Sequence, residues 1–222
     1  MMATYDLEEQ EQLAELKTWW QQYGNRITSI AVALALAVAA WQGWQWWQHQ
    51  QSAKASAIYS GLQQAAEQKD TKRVKELAGE LIEKYSGTSY AGMGALIAAR
   101  IQVDQGDSKN ARVQLAWAAD HANDIGLRAL ARLRLATVLL DEKSYDEALK
   151  QLVVEPPAPF AARYADVRGD IYVAQGKPAE AAKSYDDALA RIDAAAKAEE
   201  VARHQAYREL VQTKRDALGV SQ

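Results

Sequence analysis

The sequence predicts an all-α chain in which a single N-terminal transmembrane helix precedes a solenoid of helical hairpins, closed by a C-terminal capping helix. Three observations lead there. Residues 27–47 read ITSIAVALALAVAAWQGWQWW and hold no Asp, Glu, Lys or Arg. The rest of the chain is Ala-rich and lacks the strict apolar–polar alternation of half-buried strands. Turn residues then recur along it at nearly regular intervals.

The anchor comes first. At a helical rise of about 1.5 Å per residue the stretch spans roughly 30 Å, the depth of a bilayer's hydrocarbon core. Trp19, Trp20 and Tyr23 precede it, and Trp41, Trp44, Trp46 and Trp47 close it. Such rings favour the headgroup region because they join an apolar body to a polar tip, so these seven are the expected membrane-interface residues of a protein in contact with the lipid bilayer. A buried core helix would keep a polar face, yet residues 30–40 are apolar all round. A cleaved signal peptide competes, since Ala37-Val38-Ala39 resembles a cleavage site. Against it, the leading segment is long and acidic rather than short and basic. A helix lying on the membrane surface needs a charged face that this stretch lacks.

Residues 1–26 read as an acidic tail. Asp6, Glu8, Glu9, Glu11 and Glu15 outnumber Lys17 and Arg26, so the tail carries the chain's whole net charge of −3. Lys17 and Arg26 on one side of the anchor, against Lys54 on the other, favour a cytoplasmic N-terminus. Leu13, Leu16, Trp20 and Tyr23 recur at helical spacing, which predicts a helix that is either membrane-surface or solvated. Gly24-Asn25 is the expected break before the anchor.

From Gln48 onward, breaks near Asp70, at 86–89, at 106–108, at 123–126, at Ser144, at 156–159 and at 176–178 delimit eight helices paired into hairpins. Asp and Ser at these starts are expected N-caps, and Pro178 suits a first helical turn. Four hairpin turns align: KDTKRV, GDSKNA, KSYDEA and GKPAEA. Their last residues, Val74, Ala111, Ala148 and Ala181, are spaced by 37, 37 and 33. A tetratricopeptide repeat has a period of about 34 and a turn that commonly reads Gly-x-Tyr-acid-Glu-Ala-Leu. Residues 144–149, SYDEAL, fit that turn, with Lys143 where Gly is usual. A small residue early in the second helix lets two helices approach closely. No hairpin buries its face alone, so neighbours share one core. The tetratricopeptide-like repeat domain is therefore placed at 48–190. Residues 191–222 are expected to supply the cap, as one long helix over 191–218 with Ile192, Val201, Leu210, Val211 and Leu218 as its apolar stripe.

Few chemistries survive inspection. The chain has no Cys, which removes disulfides, thiol catalysis and thiolate metal sites. Outside the tail, acids and bases balance, so the basic footprint of nucleic-acid binding is missing. His49, His121 and His204 lie in separate segments without metal-ligand spacing. No Gly-rich phosphate loop appears, and Gly92-Met93-Gly94 reads as a close helix contact. Asp166 and Asp170 lie one helical turn apart. Paired carboxylates can serve acid–base chemistry, but Arg163 and Arg168 nearby predict an exposed ion-pair surface. The recurring tyrosines, among them Tyr59, Tyr164 and Tyr185, are expected to pack with solvated hydroxyls.

A Trp-rich anchor exit, WQGWQWWQHQ at 41–50, leads into this array. LRLA at 133–136 followed by KSYDEALK at 143–150, and ADVRGDIYVAQGK at 165–177, complete a set of stretches that resembles the YfgM family of ancillary SecYEG translocon subunits. The resemblance covers most of the chain. It implies an inner-membrane protein with a cytoplasmic N-terminus and a periplasmic repeat domain, associated with the SecYEG translocon and with a membrane-anchored periplasmic chaperone of the PpiD type. It carries no catalytic residues and no cofactor.

The leading expectation is thus a non-enzymatic binding module. In the usual repeat geometry the inner face comes from the first helix of each hairpin, which makes Tyr59, Gln63, Met93, Arg100, Leu133, Thr137, Arg163 and Asp170 the candidate partner-binding residues. Other expectations are an adaptor for a different envelope complex, a regulator acting through the acidic tail, and an enzyme. The last would need a polar pocket of convergent ionisable groups.

Overall fold

The structure is a computed structural model that describes residues 3–195 and 201–219. Among the described residues it contains no strand and nine helices: α1 (Ala3–Glu67), α2 (Thr71–Tyr85), α3 (Ser89–Asp104), α4 (Ser108–His121), α5 (Ile125–Asp141), α6 (Tyr145–Gln151), α7 (Ala158–Ala174), α8 (Pro178–Ala195) and α9 (Val201–Asp216). The chain divides into two compact units, Met1–Gln51 and Ser52–Gln222. Each is described by itself.

The first unit is helical and leaves its apolar side chains unburied. Ile30, Leu34, Val38 and Trp41 are all more than half exposed. Among the described residues α1 is the one helix long and apolar enough to cross a membrane. The aromatic groups cluster as the sequence places them: Trp19 lies 5.9 Å from Tyr23, and Trp44 lies 5.4 Å from Trp47, centroid to centroid. The expected break at Gly24-Asn25 does not occur, because α1 runs through it. One Gly costs a helix only about 1 kcal/mol. Here the Trp20 indole also lies against Gly24, so that an added Cβ would meet it at 3.1 Å. Thr28 and Ser29 donate hydroxyl hydrogen bonds of 2.8 Å back to the carbonyls of Gly24 and Asn25.

In the second unit the end of α1 pairs with α2, α3 with α4, α5 with α6 and α7 with α8. The first helices of successive hairpins also touch, α3 on α5 and α5 on α7. The turn inside each hairpin is the same device. Lys69, Gly106, Lys143 and Gly176 all have positive φ, at 57°, 78°, 61° and 70°. After each, the next residue's N–H reaches back five residues: Asp70 to Ala65 O, Asp107 to Gln102 O, Ser144 to Leu139 O and Lys177 to Tyr172 O. This left-handed closure satisfies carbonyls that a helix end would otherwise leave free. Asp70, Asp107 and Asp124 cap the following helices by accepting from the amides of Arg73, Asn110 and Leu127. Ser144 caps α6 without a side-chain hydrogen bond, contrary to expectation.

Packing follows the repeat. Val74, Ala111, Ala148 and Ala181 are each at most 1% exposed, which fits the need for a small residue where paired helices approach. A Cβ on Gly92 would sit 2.9 Å from that of Ala122, and one on Gly94 would sit 2.7 Å from Leu81 Cδ1, so both glycines serve close helix contact.

The C-terminal segment differs from the expected single helix over 191–218. Arg191 and Ile192 belong to α8, and α9 is a separate element packed against it. Arg208 pairs with Asp193 at 2.7 Å, and Arg215 with Asp186 at 3.1 Å. In one continuous helix, residues 15 apart would lie roughly 22 Å from each other. Charge pairing between the two faces therefore needs the chain to fold back. Residues 196–200 of the expected helix lie outside the described residues.

Candidate functional site

The eight candidate residues of the first helices do not form one surface. Gln63 and Arg100 do share a site: with Ala66, Glu67, Lys69, Ile97, Ile101, Asp104 and Gln105 they line a cleft of about 600 Å³ between the end of α1 and α3. Tyr59 is half-buried, with its ring 5.5 Å from that of Tyr90. Met93 is half-buried on α3. Thr137 is exposed, but its hydroxyl donates to Leu133 O at 3.1 Å. Leu133 itself is only 8% exposed, because it falls on the α5 face that also buries Ala129 and Ala136 in the main core. It is a packing residue.

Arg163 and Asp170 turn toward the cap instead. The Arg163 guanidinium lies 5.4 Å from the Tyr207 ring centroid. Asp170 joins Asp166 in a polar cluster that α9 completes. Lys214 Nζ donates to Asp166 Oδ1 and to Asp170 Oδ2, each at 2.8 Å. The Tyr207 hydroxyl donates to Asp166 Oδ2 at 3.0 Å, and the Tyr185 hydroxyl donates to Asp170 Oδ1 at 2.7 Å. The expected exposed ion-pair surface with Arg163 and Arg168 is thus replaced by a partly buried one with Lys214. Asp166 is 7% exposed, and Arg168 donates to Leu152 O instead. Burial pulls the Lys214 ammonium down, but hydrogen bonds to the two carboxylates outweigh this and leave it raised. Burial, and then Asp170, push the Tyr185 phenol far above its ordinary value; burial and then the Asp166 charge do the same for Tyr207. Fully hydrogen-bonded and roofed by α9, the cluster ties helices together and offers no reactive group. The solvated hydroxyls expected for tyrosines fail here and at Tyr164, whose hydroxyl donates to Ala129 O at 2.9 Å inside the core.

A residue that the candidate set omits reaches from α5 to α3. Arg134 of α5 donates from Nη1 to Leu96 O of α3 at 3.5 Å. Burial, and then the charge of Arg100, hold its guanidinium below the ordinary value. The arginine ion pairs among the described residues belong to Arg73, Arg112, Arg132, Arg191, Arg208 and Arg215. Arg100 and Arg134 have no carboxylate partner among those residues.

Comparison with known proteins joins these observations. The family model of the tetratricopeptide repeat-like domain matches residues 17–220. An ancillary SecYEG translocon subunit of Neisseria gonorrhoeae is 30% identical over 213 residues, 96% of this chain and 98% of its own length. The chain belongs to this family. Another ancillary SecYEG translocon subunit, from Haemophilus influenzae, is 33% identical over 187 residues, covering 83% of this chain and 90% of that one. A third, from Escherichia coli, is 27% identical over 171 residues, 76% and 81% of the two chains.

In this member of the YfgM family, one residue outside the candidate set was within reach of the sequence. Arg134 follows Arg100 by 34 residues, the period of the repeat, so repeat spacing would have found it. Lys214 and Tyr207 carried no such signal, because the cap is not a repeat.

Proposed function

We propose that this chain is a non-enzymatic, single-pass inner-membrane scaffold of the SecYEG translocon. Its residues 1–26 are the cytoplasmic tail, residues 27–47 cross the membrane, and the repeat domain with its cap works in the periplasm. The observation that carries this reading is the near end-to-end similarity to a subunit named for that translocon. A lipid-compatible helix beside a helical-repeat domain fits the role. The helix holds the array at the membrane, and confinement there raises the effective concentration of partners without new contacts. A membrane-anchored chaperone of the PpiD type is the proposed periplasmic partner. The absence of Cys makes the topology test clean: single Cys residues introduced at Ser52 and Ser108 should label with an impermeant maleimide from the periplasmic side.

Photocrosslinking in the membrane tests the function. Probes at Val38 and Trp44 should yield adducts with translocon subunits. Probes at Arg100 and Arg163 should yield adducts with the chaperone or with emerging secretory chains. Adducts with a different envelope complex would overturn the translocon assignment and leave a repeat adaptor.

A further inference from the structure

Apolar burial holds α9 lightly. Among its described side chains Val211 alone is buried, whereas α2, of similar length, buries Val74, Leu77, Ala78 and Leu81. Charge does the rest. Tyr207, Val211 and Lys214 recur at steps of four and three and so share one helical face, with Arg208 and Arg215 beside it. Against that face stand four carboxylates. Tyr207 donates to Asp166, and Lys214 to Asp166 and Asp170 of α7. Arg208 pairs with Asp193 and Arg215 with Asp186, both of α8. Val211 joins Ala165, Ala188 and Ile192 in one small core. A basic helix thus lies on an acidic two-helix face, as at an interface between two proteins. Half-exposed pairs such as Arg208–Asp193 add little stability, and the withdrawn Lys214 gives up hydration for what it gains. Meanwhile α7 and α8 pack on each other, and α7 on α5, without help from α9. Lifting α9 is therefore a local opening that leaves the stack intact.

We infer that the face of α7 and α8 beneath α9 is a docking seat for a cationic amphipathic helix of a partner protein, and that α9 is a strap which fills the seat and competes with that helix. The inference rests on reading the repeat domain as a partner-binding module, and it specifies the partner's chemistry. The four carboxylates select a helix with paired cations two turns apart, as Arg208 and Arg215 are in α9. The small apolar floor selects one aliphatic side chain between them, where α9 places Val211.

The test uses the full chain in lipid nanodiscs and a fluorescently labelled, end-blocked peptide with the sequence of residues 201–219. Arg208→Glu with Lys214→Met loosens the strap and leaves the seat intact. That variant should bind the peptide about tenfold or more tighter than the parent chain, because a competitor's affinity is reduced by the fraction of chains whose seat stands open. Adding Asp166→Asn and Asp170→Asn should abolish the gain, and a scrambled peptide of the same composition should not bind. A second variant covers the case in which the first misfolds. Asp193→Cys with Arg208→Cys, in a chain with no other Cys, can be joined by a short bismaleimide. The joined chain should exclude the peptide and the unjoined one should admit it. Equal binding by parent and loosened chains, by joined and unjoined chains, or of ordered and scrambled peptides would each overturn the inference. Crosslinks that join two chains instead of one would give the seat to a second copy and overturn it too. Copurification keeps the seat distinct from the translocon assignment. If the loosened chain gains no peptide binding while translocon subunits copurify, the seat falls and the assignment stands. If it binds the peptide and no translocon subunit copurifies with the parent chain, the seat stands and the assignment falls.

Discussion

The two ends of the repeat domain are closed by opposite means. At the first hairpin, Ala55, Leu62, Val74, Leu77, Leu81 and Ala91 form a dry core. At the last, Asp166, Asp170 and Lys214 share the interface of α7, α8 and α9 with Ala165, Ala188, Ile192 and Val211. A dry interface tolerates many apolar sequences of similar volume. A partly buried charge cluster costs desolvation and is satisfied in few arrangements, so its expected role is to fix where α9 sits rather than to add stability. The difference teaches that the cap is positioned by specific pairing, whereas the first hairpin is held by bulk burial.

The comparison can be broken most severely at the dry end. Leu81 is fully buried, and Leu81→Ala should destabilise the chain by about 3 kcal/mol, read as a lower urea midpoint, to the same degree from pH 6 to pH 9. Next comes Lys214→Ala, which strands Asp166 without its cation. A loss of about 2–3 kcal/mol is expected, and Lys214→Met with Asp166→Asn and Asp170→Asn should recover much of it. Failure of that triple variant to recover would make the cluster a net source of stability rather than of position.

Alkaline pH sharpens the contrast. Lys214 and the phenols of Tyr185 and Tyr207 all have raised values in the folded chain. Above about pH 10 an unfolded Tyr or Lys releases its proton while the folded one retains it, so stability falls as pH rises. The contribution is complete below that range. Hydrogen exchange should therefore show α9 opening before α2 once pH passes about 10. The smallest effect concerns the turns. Lys69→Gly and Lys143→Gly relieve the left-handed backbone of a residue with a Cβ, and each should raise stability by about 1 kcal/mol. A fall in melting temperature would show that these lysines hold the turn by other contacts.

The dry end was legible in the sequence and the polar end was not. Turn spacing located the hairpins, and the buried Val74, Ala111 and Ala148 follow from it directly. Apolar periodicity works because any neighbour of suitable size satisfies it. Asp166 was misread as exposed because its nearest basic residues in sequence, Arg163 and Arg168, are not its partners; Lys214, 48 positions away, is. The break at Gly24-Asn25 failed for the converse reason: a local signal was weak beside the helical residues on both sides. At the candidate site, Gln63 and Arg100 were found by repeat geometry. Leu133 was lost to the core because the face of a helix shifts with a single residue of offset.

The carboxylate cluster also makes the domain sensitive to whether its own synthesis has finished. Helices α1 to α8 precede Tyr207 and Lys214 in the chain, and proteins emerge from their N-termini. Until those two residues arrive, Asp166 lacks both of the donors that α9 supplies and Asp170 lacks its lysine. A chain ended before Tyr207 should therefore leave both carboxylates uncovered at the end of the stack.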